Sequence, residues 1–438
     1  MKKIITAHEN INQWIDDHTE EIIQFLQELI MIPSVTPWFE PKPEDSREAE
    51  VQVLIKNKLL ALGAEIKTWE PDAIQLAKYK GRPGYYADHC FKGRPNQAAV
   101  LKGSGGGHSL LLTGHIDVVP AAGGWTVPPF SGLRRDSMIY GRGTVDMKGG
   151  IAAMIMATVA VIKSGYNFKG DVIVGTVVDE EAGGMGTLDF VDKGYRADAC
   201  ILTEPTNLKL APLCRGILWG KLIIPGRSGH IELPQGDWRE GGAVDAIALA
   251  RVFMNHFDRL NSDWRVRKTH PFMPIPCQIH FAQFNAGEYP TAFANHAELV
   301  FDAQYLPTEK DEMGLGGKVK KEIETFVHEI ALTEPWLREN PPKIEWMIDA
   351  DCGETSIDHP FVRTVLENME ASGLPRLVEG VCAHTDIGWF QTLGIPTVVI
   401  GPGNPRLAHQ NDERVSEEDL IKLAKFIASI LIKWVEIK

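Results

Sequence analysis

Three apolar runs in this chain end alike, on acidic or imidazole side chains. Residues 110–113 lead into His115-Ile116-Asp117, residues 172–178 into Asp179-Glu180-Glu181, and residues 199–202 into Thr203-Glu204-Pro205. Helical patterns at 151–165 and 186–193 separate them, and strands alternating with helices imply a mostly parallel sheet flanked by helices. In such sheets ligands gather beyond the carboxyl ends of the strands. The shared position of His115, Asp117, Glu180, Glu181 and Glu204 therefore constrains fold and function together.

The rest of the chain is arranged around that sheet. Residues 11–32 read as one amphipathic helix, with Ile11, Ile15, Ile22, Leu26, Leu29 and Ile30 at helical spacing and Pro33 ending it. After a proline-rich loop, Asp45 or Ser46 is expected to cap a second helix through Ala61, stopped by Gly63. Residues 98–115 look like two strands joined as a hairpin by the turn GSGGGH. A phosphate loop is the weaker reading of that turn, since no helix follows it.

Beyond Cys214 the pattern changes to strand (216–226), helix (241–260), strands (279–284 and 297–305), helix (318–331) and strand (343–348). That is a ferredoxin-like α+β order. It is expected to form an inserted domain at 215–350, within an α/β catalytic domain made of 1–214 and 351–438. The α/β pattern resumes with a helix (361–372), a strand (396–400) and a closing helix (417–435).

Composition narrows the class. A chain with 44% hydrophobic and 24% charged residues is an ordinary globular one. No apolar run approaches the roughly 18 residues of a membrane span. The start MKKIITAHENINQW turns polar too soon for a signal-peptide core, and six scattered cysteines without a CxxC pair read as reduced thiols. Both point to the cytoplasm. The net charge of −13 argues against a nucleic-acid partner.

Taken singly, the candidates have plainer readings. A Glu-Glu pair before glycines is often a solvated turn, Asp146 is placed to cap the helix after it, and His409 lies in a Gly/Pro loop. Jointly, two histidines and several carboxylates form an N/O donor set suited to a borderline metal such as zinc. The segments GHIDVVP, GRGTVDMKGG, VVDEEAGG, LTEPT, GRSGH and AHQNDERV follow one another between about residue 110 and residue 415. This ordered set resembles the dinuclear zinc amidohydrolases, a family that includes acetylornithine deacetylase, succinyl-diaminopimelate desuccinylase, aminoacylase and glutamate carboxypeptidase-like enzymes.

The resemblance implies a zinc-exopeptidase-like catalytic domain holding two Zn2+ ions, with Co2+ or Mn2+ also fitting. Asp146 is implied to bridge them. His115 and Glu204 then complete one site, Glu181 and His409 the other, Asp117 orients His115, and Glu180 is the general base. His230, in the inserted domain, is implied to stabilise the oxyanion in a neighbouring subunit's site. That makes the protein at least a homodimer through an inserted dimerisation and lid domain. The implied reaction is hydrolysis of the amide bond of a small N-acylated amino acid or related amine, as in acetylornithine deacetylase. A dipeptidase or carboxypeptidase, using the same two-metal chemistry on a peptide bond, is the nearest alternative. The alternative from another class is a catalytically silent binding protein, which would have no need of Glu180.

Two departures concern substrate recognition. The family usually has an arginine where this chain has Gln304, and a glutamine cannot make the charged two-pronged contact with a carboxylate. The family asparagine earlier in that hairpin is not evident in Tyr289-Pro290-Thr291. Arg406, three residues before His409, is the candidate replacement, and Thr385 a candidate contact to the acyl group or a substrate carboxylate. Trp238 and Trp389 read as core or wall.

Overall fold

The computed structural model describes residues 2–38, 46–82 and 84–438, with side chains from residue 6 onward. It divides into two compact units, one of Met1–Leu213, Gly353–Val381 and Thr385–Lys438, the other of Cys214–Cys352 and Cys382–His384. Among the described residues no helix is long and apolar enough to cross a membrane.

The first unit is built on a six-stranded sheet in the order Glu65–Trp69, Asn96–Leu101, Val172–Val177, Leu110–His115, Cys200–Leu202, Thr397–Val399. The last four strands are parallel and the first two antiparallel. Leu110–His115 and Val172–Val177 are buried at every position, so both of their faces are covered, as continuous apolar runs require. Register then aligns their charged ends. His115 pairs with Val177 and Thr113 with Leu202, so all three runs finish at the same edge of the sheet.

The helix Lys148–Lys163 is buried from Lys148 to Val161 and is made almost wholly of Ala, Gly, Ile, Met and Val. It has no solvent face because it packs between the strand Leu110–His115 and the helices Thr19–Ile30 and Glu417–Ile430. Burying a side chain such as Ile151 or Ile155 contributes about 1.5–3 kcal/mol, so this central helix anchors the loop before it, which carries Asp146.

Three expectations fail in this unit. The GSGGGH segment makes no hairpin, because Val172–Val177 lies between the strands on either side of it. Its glycines cross other backbone instead: a Cβ on Gly103 would meet the Lys169 carbonyl oxygen at 2.2 Å, and one on Gly107 the Val435 carbonyl oxygen at 2.0 Å. The single first helix is two, Lys2–Asp17 and Thr19–Ile30, divided at His18, whose ring stacks on Trp14 at 3.9 Å. The next helix is Glu48–Leu60 with Arg47 at its N-cap and no side-chain cap; Asp45 lies outside the described residues.

The second unit is a four-stranded antiparallel sheet in the order Ile279–Ala286, His296–Tyr305, Gly216–Pro225, Lys343–Ala350. With the helices Ala246–Arg267 and Gly317–Thr333 this is the ferredoxin-like arrangement. Burial alternates strictly along His296–Tyr305, so Leu299, Phe301 and Tyr305 share one face. Leu249, Phe253, Phe257, Leu260 and Trp264 are buried on the first helix, and Phe257 meets Phe281 and Phe301 at ring separations of 5.0 and 6.2 Å.

Candidate metal centre

Every residue of the centre lies in the first unit. The strand Leu110–His115 delivers the fully buried His115 imidazole, with Nε2 3.1 Å from Asp146 Oδ1, 3.4 Å from Glu204 Oε1 and 3.9 Å from Glu180 Oε2. On the far side of Asp146, His409 Nε2 lies 3.3 Å from its Oδ2 and 3.1 Å from Glu181 Oε2. One carboxylate thus stands between two imidazoles, each with its own glutamate.

Asp117 is fully buried, and its two carboxylate oxygens accept the backbone N–H groups of Glu180 (3.3 Å) and Glu181 (3.2 Å). Its main-chain carbonyl lies nearer to His115 Nδ1, at 2.9 Å, than its carboxylate does, at 3.6 Å. The carbonyl is thus the nearer partner of the imidazole, while the carboxylate ties the His115 strand to the Glu180-Glu181 turn. Asp146 does not cap the following helix, whose N-cap is Met147.

The electrostatics fit a site for cations. Burial pushes the Glu180 carboxyl well above the usual range; His115 pulls it down, but Asp386, Glu204 and Glu181 add to the rise. Glu204 and Glu181 are raised as well, again first by burial. Burial opposes charge on His115, yet Glu204, Asp117, Asp146 and Glu180 lift it well above the ordinary imidazole value. Hydrogen bonds to Asp146 and Glu181 hold His409 up at about 10. Burial also works against Asp146, but its bonds from the two histidines keep it well below the usual carboxylate range.

Among the described residues, the ion pairs of these four carboxylates are with His115 and His409 alone. Two sets have donor atoms within 4.8 Å of one another, His115 with Glu180 and Glu204, and His115 with Asp146 and Glu181. Clustered carboxylates with imidazole nitrogens and no lysine or arginine partner suit divalent cations.

Thr385 and Arg406 also belong to the first unit. Thr385 is buried and its Oγ1 accepts the Ile387 N–H at 3.5 Å; Arg406 is exposed in the turn Pro405–Leu407. Trp389 belongs to the core of the first unit. His230 and Gln304 belong to the second unit. His230 is exposed and accepts the Glu232 N–H through Nδ1 at 3.3 Å. Gln304 accepts from Arg215 Nη1 at 2.9 Å.

Two buried networks behind the centre escaped the sequence reading. Arg94 donates to both Glu48 oxygens, at 2.6 and 3.1 Å, and to Asp179 Oδ1 at 3.0 Å, while His89 Nδ1 meets Asp179 Oδ2 at 2.7 Å. Asp179 immediately precedes Glu180 and has a left-handed backbone, with φ of 71°. The second network joins Arg142 to Glu413 at 2.6 Å. The available signal was an unassigned charge of each sign inside two of the quoted motifs, GRGTVDMKGG and AHQNDERV.

A mostly parallel α/β sheet whose strand ends gather acidic and imidazole groups places the chain in a class, the metal-dependent hydrolases of amide bonds. The chain belongs to peptidase family M20/M25/M40, whose model matches residues 111–433. It is 27% identical to an N-formyl-4-amino-5-aminomethyl-2-methylpyrimidine deformylase of Halalkalibacterium halodurans, in an alignment covering 99% of each chain. It is 29% identical to an acetylornithine deacetylase of Proteus mirabilis, over 89% of this chain and 91% of that one. A di-peptidase from Saccharomyces cerevisiae has the same fold, with a TM-score of 0.72 at 17% identity over 98% of each chain.

Proposed function

We propose that this chain is a deacylase that hydrolyses the amide of a small N-acylated amine, using two divalent cations, zinc in the first instance. Asp146 would bridge them, with His115 and Glu204 at one position and Glu181 and His409 at the other. The observation that carries this reading is Asp146, whose two oxygens reach His115 at 3.1 Å and His409 at 3.3 Å.

When bound, the cation pair supplies Lewis acidity to the amide carbonyl and lowers the pKa of a water molecule. Glu180 takes a proton from the attacking water on a carboxylate oxygen and hands it to the leaving nitrogen. Its backbone N–H, fixed on Asp117 at 3.3 Å, gives that carboxylate a rigid base. His230 Nδ1 accepts a hydrogen bond, which leaves Nε2 as the donor nitrogen of the ring, as a developing oxyanion requires. The family resemblance assigns that donor to a neighbouring subunit's site, and so a homodimer through the second unit.

Gln304 offers no charged grip for a carboxylate. That favours an amine without an α-carboxylate over an acetylornithine-like substrate. The deformylase relative, named for an aminomethylpyrimidine and aligned over the whole chain, supports the same choice. The test is amine release from N-formyl, N-acetyl and N-succinyl amines, with and without an α-carboxylate, and from dipeptides, after zinc or cobalt loading. Release from formyl or acetyl amines, lost in Glu180→Gln with both metals still bound, is the expected result. Release from dipeptides alone would replace the deacylase by a peptidase, and turnover that survives in Glu180→Gln would remove the base.

A further inference from the structure

Glu413 is fully buried, and its two oxygens are divided between two tasks. Oε1 accepts three N–H groups of one loop, from Gly143 (3.0 Å), Val145 (2.8 Å) and Asp146 (3.2 Å). Oε2 accepts from Arg142 Nη1 at 2.6 Å. Arg142, only 2% exposed, also donates to main-chain carbonyls: Gln410 at 3.4 Å from Nη1, and His409 at 3.2 Å and Pro120 at 3.3 Å from Nη2, while among the described residues its Nε has no hydrogen-bond partner. Its guanidinium also lies over the Trp125 ring, 5.3 Å from the centroid.

The pair thus grips the peptide groups of Asp146 and His409 themselves. His409 has a left-handed backbone, φ 61°, which a non-glycine residue keeps only when its surroundings over-determine it. A short ladder reinforces the grip, with Arg414 paired to Tyr140 and the Gly141 N–H on the Glu413 carbonyl at 2.9 Å. Neither residue of the pair bonds to His115 or Glu204. Those side chains are placed by the strands Leu110–His115 and Cys200–Leu202.

We propose that Arg142 and Glu413 are positioning residues that set the cation affinity of the Asp146–Glu181–His409 position selectively, leaving the His115–Glu204 position to the sheet. This rests on the two-cation reading above. Asp146 serves both positions, but only the second draws two of its donors from loops held by the pair. Loss of a group that orients metal-binding side chains typically lowers affinity by about 10–100-fold.

The experiment titrates metal-free full-length protein with Zn2+ by calorimetry and with Co2+ by visible absorption, for wild type, Glu413→Gln and Arg142→Lys. Near-ultraviolet circular dichroism accompanies each titration as a check of folding. Two tight equivalents for the wild type, and one tight plus one weakened by about tenfold or more for Glu413→Gln, is the expected result. Arg142→Lys, which keeps the charge but not the fork, should show the same asymmetry in smaller measure. His409→Ala should weaken the same equivalent, and combining it with Glu413→Gln should add less than the sum. Equal weakening of both equivalents in folded variants, or none, would overturn the proposal. A wild type that binds a single ion would instead overturn the two-cation reading.

Discussion

Two buried arginines, one in each unit, are treated in opposite ways. Arg142 meets a carboxylate and three carbonyls. Arg215 is equally inaccessible, yet Nη1 donates to the neutral amide oxygen of Gln304; among the described residues the Nε of both arginines lacks a hydrogen-bond partner, and in Arg215 Nη2 lacks one as well. Removing a guanidinium from water costs several kcal/mol, and only close pairing with good geometry offsets it. The first arginine is therefore integral to the loops it joins, whereas no carboxylate pairs with the second among the described residues. Substitution should separate the two.

The largest effect is expected at Arg142. Arg142→Met leaves the Glu413 carboxylate buried without its cation, and breaking such a pair costs about 3–5 kcal/mol. Urea unfolding of the metal-free protein should register that loss at pH 8. At pH 6 the loss should be smaller, because the isolated carboxyl can hold a proton. A loss below about 1 kcal/mol at pH 8 would put Arg142 in the same position as Arg215 and end the contrast.

The pH dependence follows from Glu413. Burial pushes its carboxyl up to about 7 against the pull of Arg142. Between about 4.5 and 7 the folded protein holds a proton that the unfolded chain has released, so this group lowers stability as pH rises through that window. The slope is at most about 1.4 kcal/mol per pH unit for one group. Glu413→Gln should flatten the wild-type curve by that amount between pH 5 and 7. An identical slope in variant and wild type would mean that Glu413 is charged throughout.

Metal loading should carry its own proton signature. His409 is held up at about 10 by Asp146 and Glu181, and a ligating imidazole must be neutral. Binding at neutral pH therefore releases its proton, and affinity should rise up to about tenfold per pH unit as pH approaches 10. Calorimetry in buffers of differing ionisation enthalpy measures that release. His409→Ala should release fewer protons.

The contrast also marks what the sequence could disclose. The class of the sheet was legible because apolar runs with charged ends leave few alternatives, and the ferredoxin-like order because its elements are long and strongly periodic. Two features of the connectivity were not. Backbone crossing at Gly103 and Gly107 depends on Lys169–Gly170 and Val435, far along the chain. The three-stranded sheet of Leu133–Arg135, Met138–Tyr140 and Arg414–Ser416 is made of strands too short to carry a period. His115, Asp146, Glu180, Glu181, Glu204 and His409 were each named from their segments, but Arg142 and Glu413 were not singled out. Their pairing spans 271 residues, and no local pattern reports which of many charges will be buried together.

The smallest effect is expected at Arg215. Arg215→Met keeps most of the side-chain volume, removes a charge with no paired carboxylate among the described residues, and leaves the Gln304 amide oxygen without its donor. Replacing buried charges by apolar groups of similar shape is often neutral or stabilising, so the stability change should lie within about 1 kcal/mol of zero or be favourable. Urea unfolding monitored by tryptophan fluorescence, with Trp219 and Trp264 reporting on the second unit, tests this. A loss as large as that of Arg142→Met would mean that Arg215 is compensated in solution by groups beyond Gln304. In that case the asymmetry between the two arginines would belong to a single arrangement of the side chains and not to the fold.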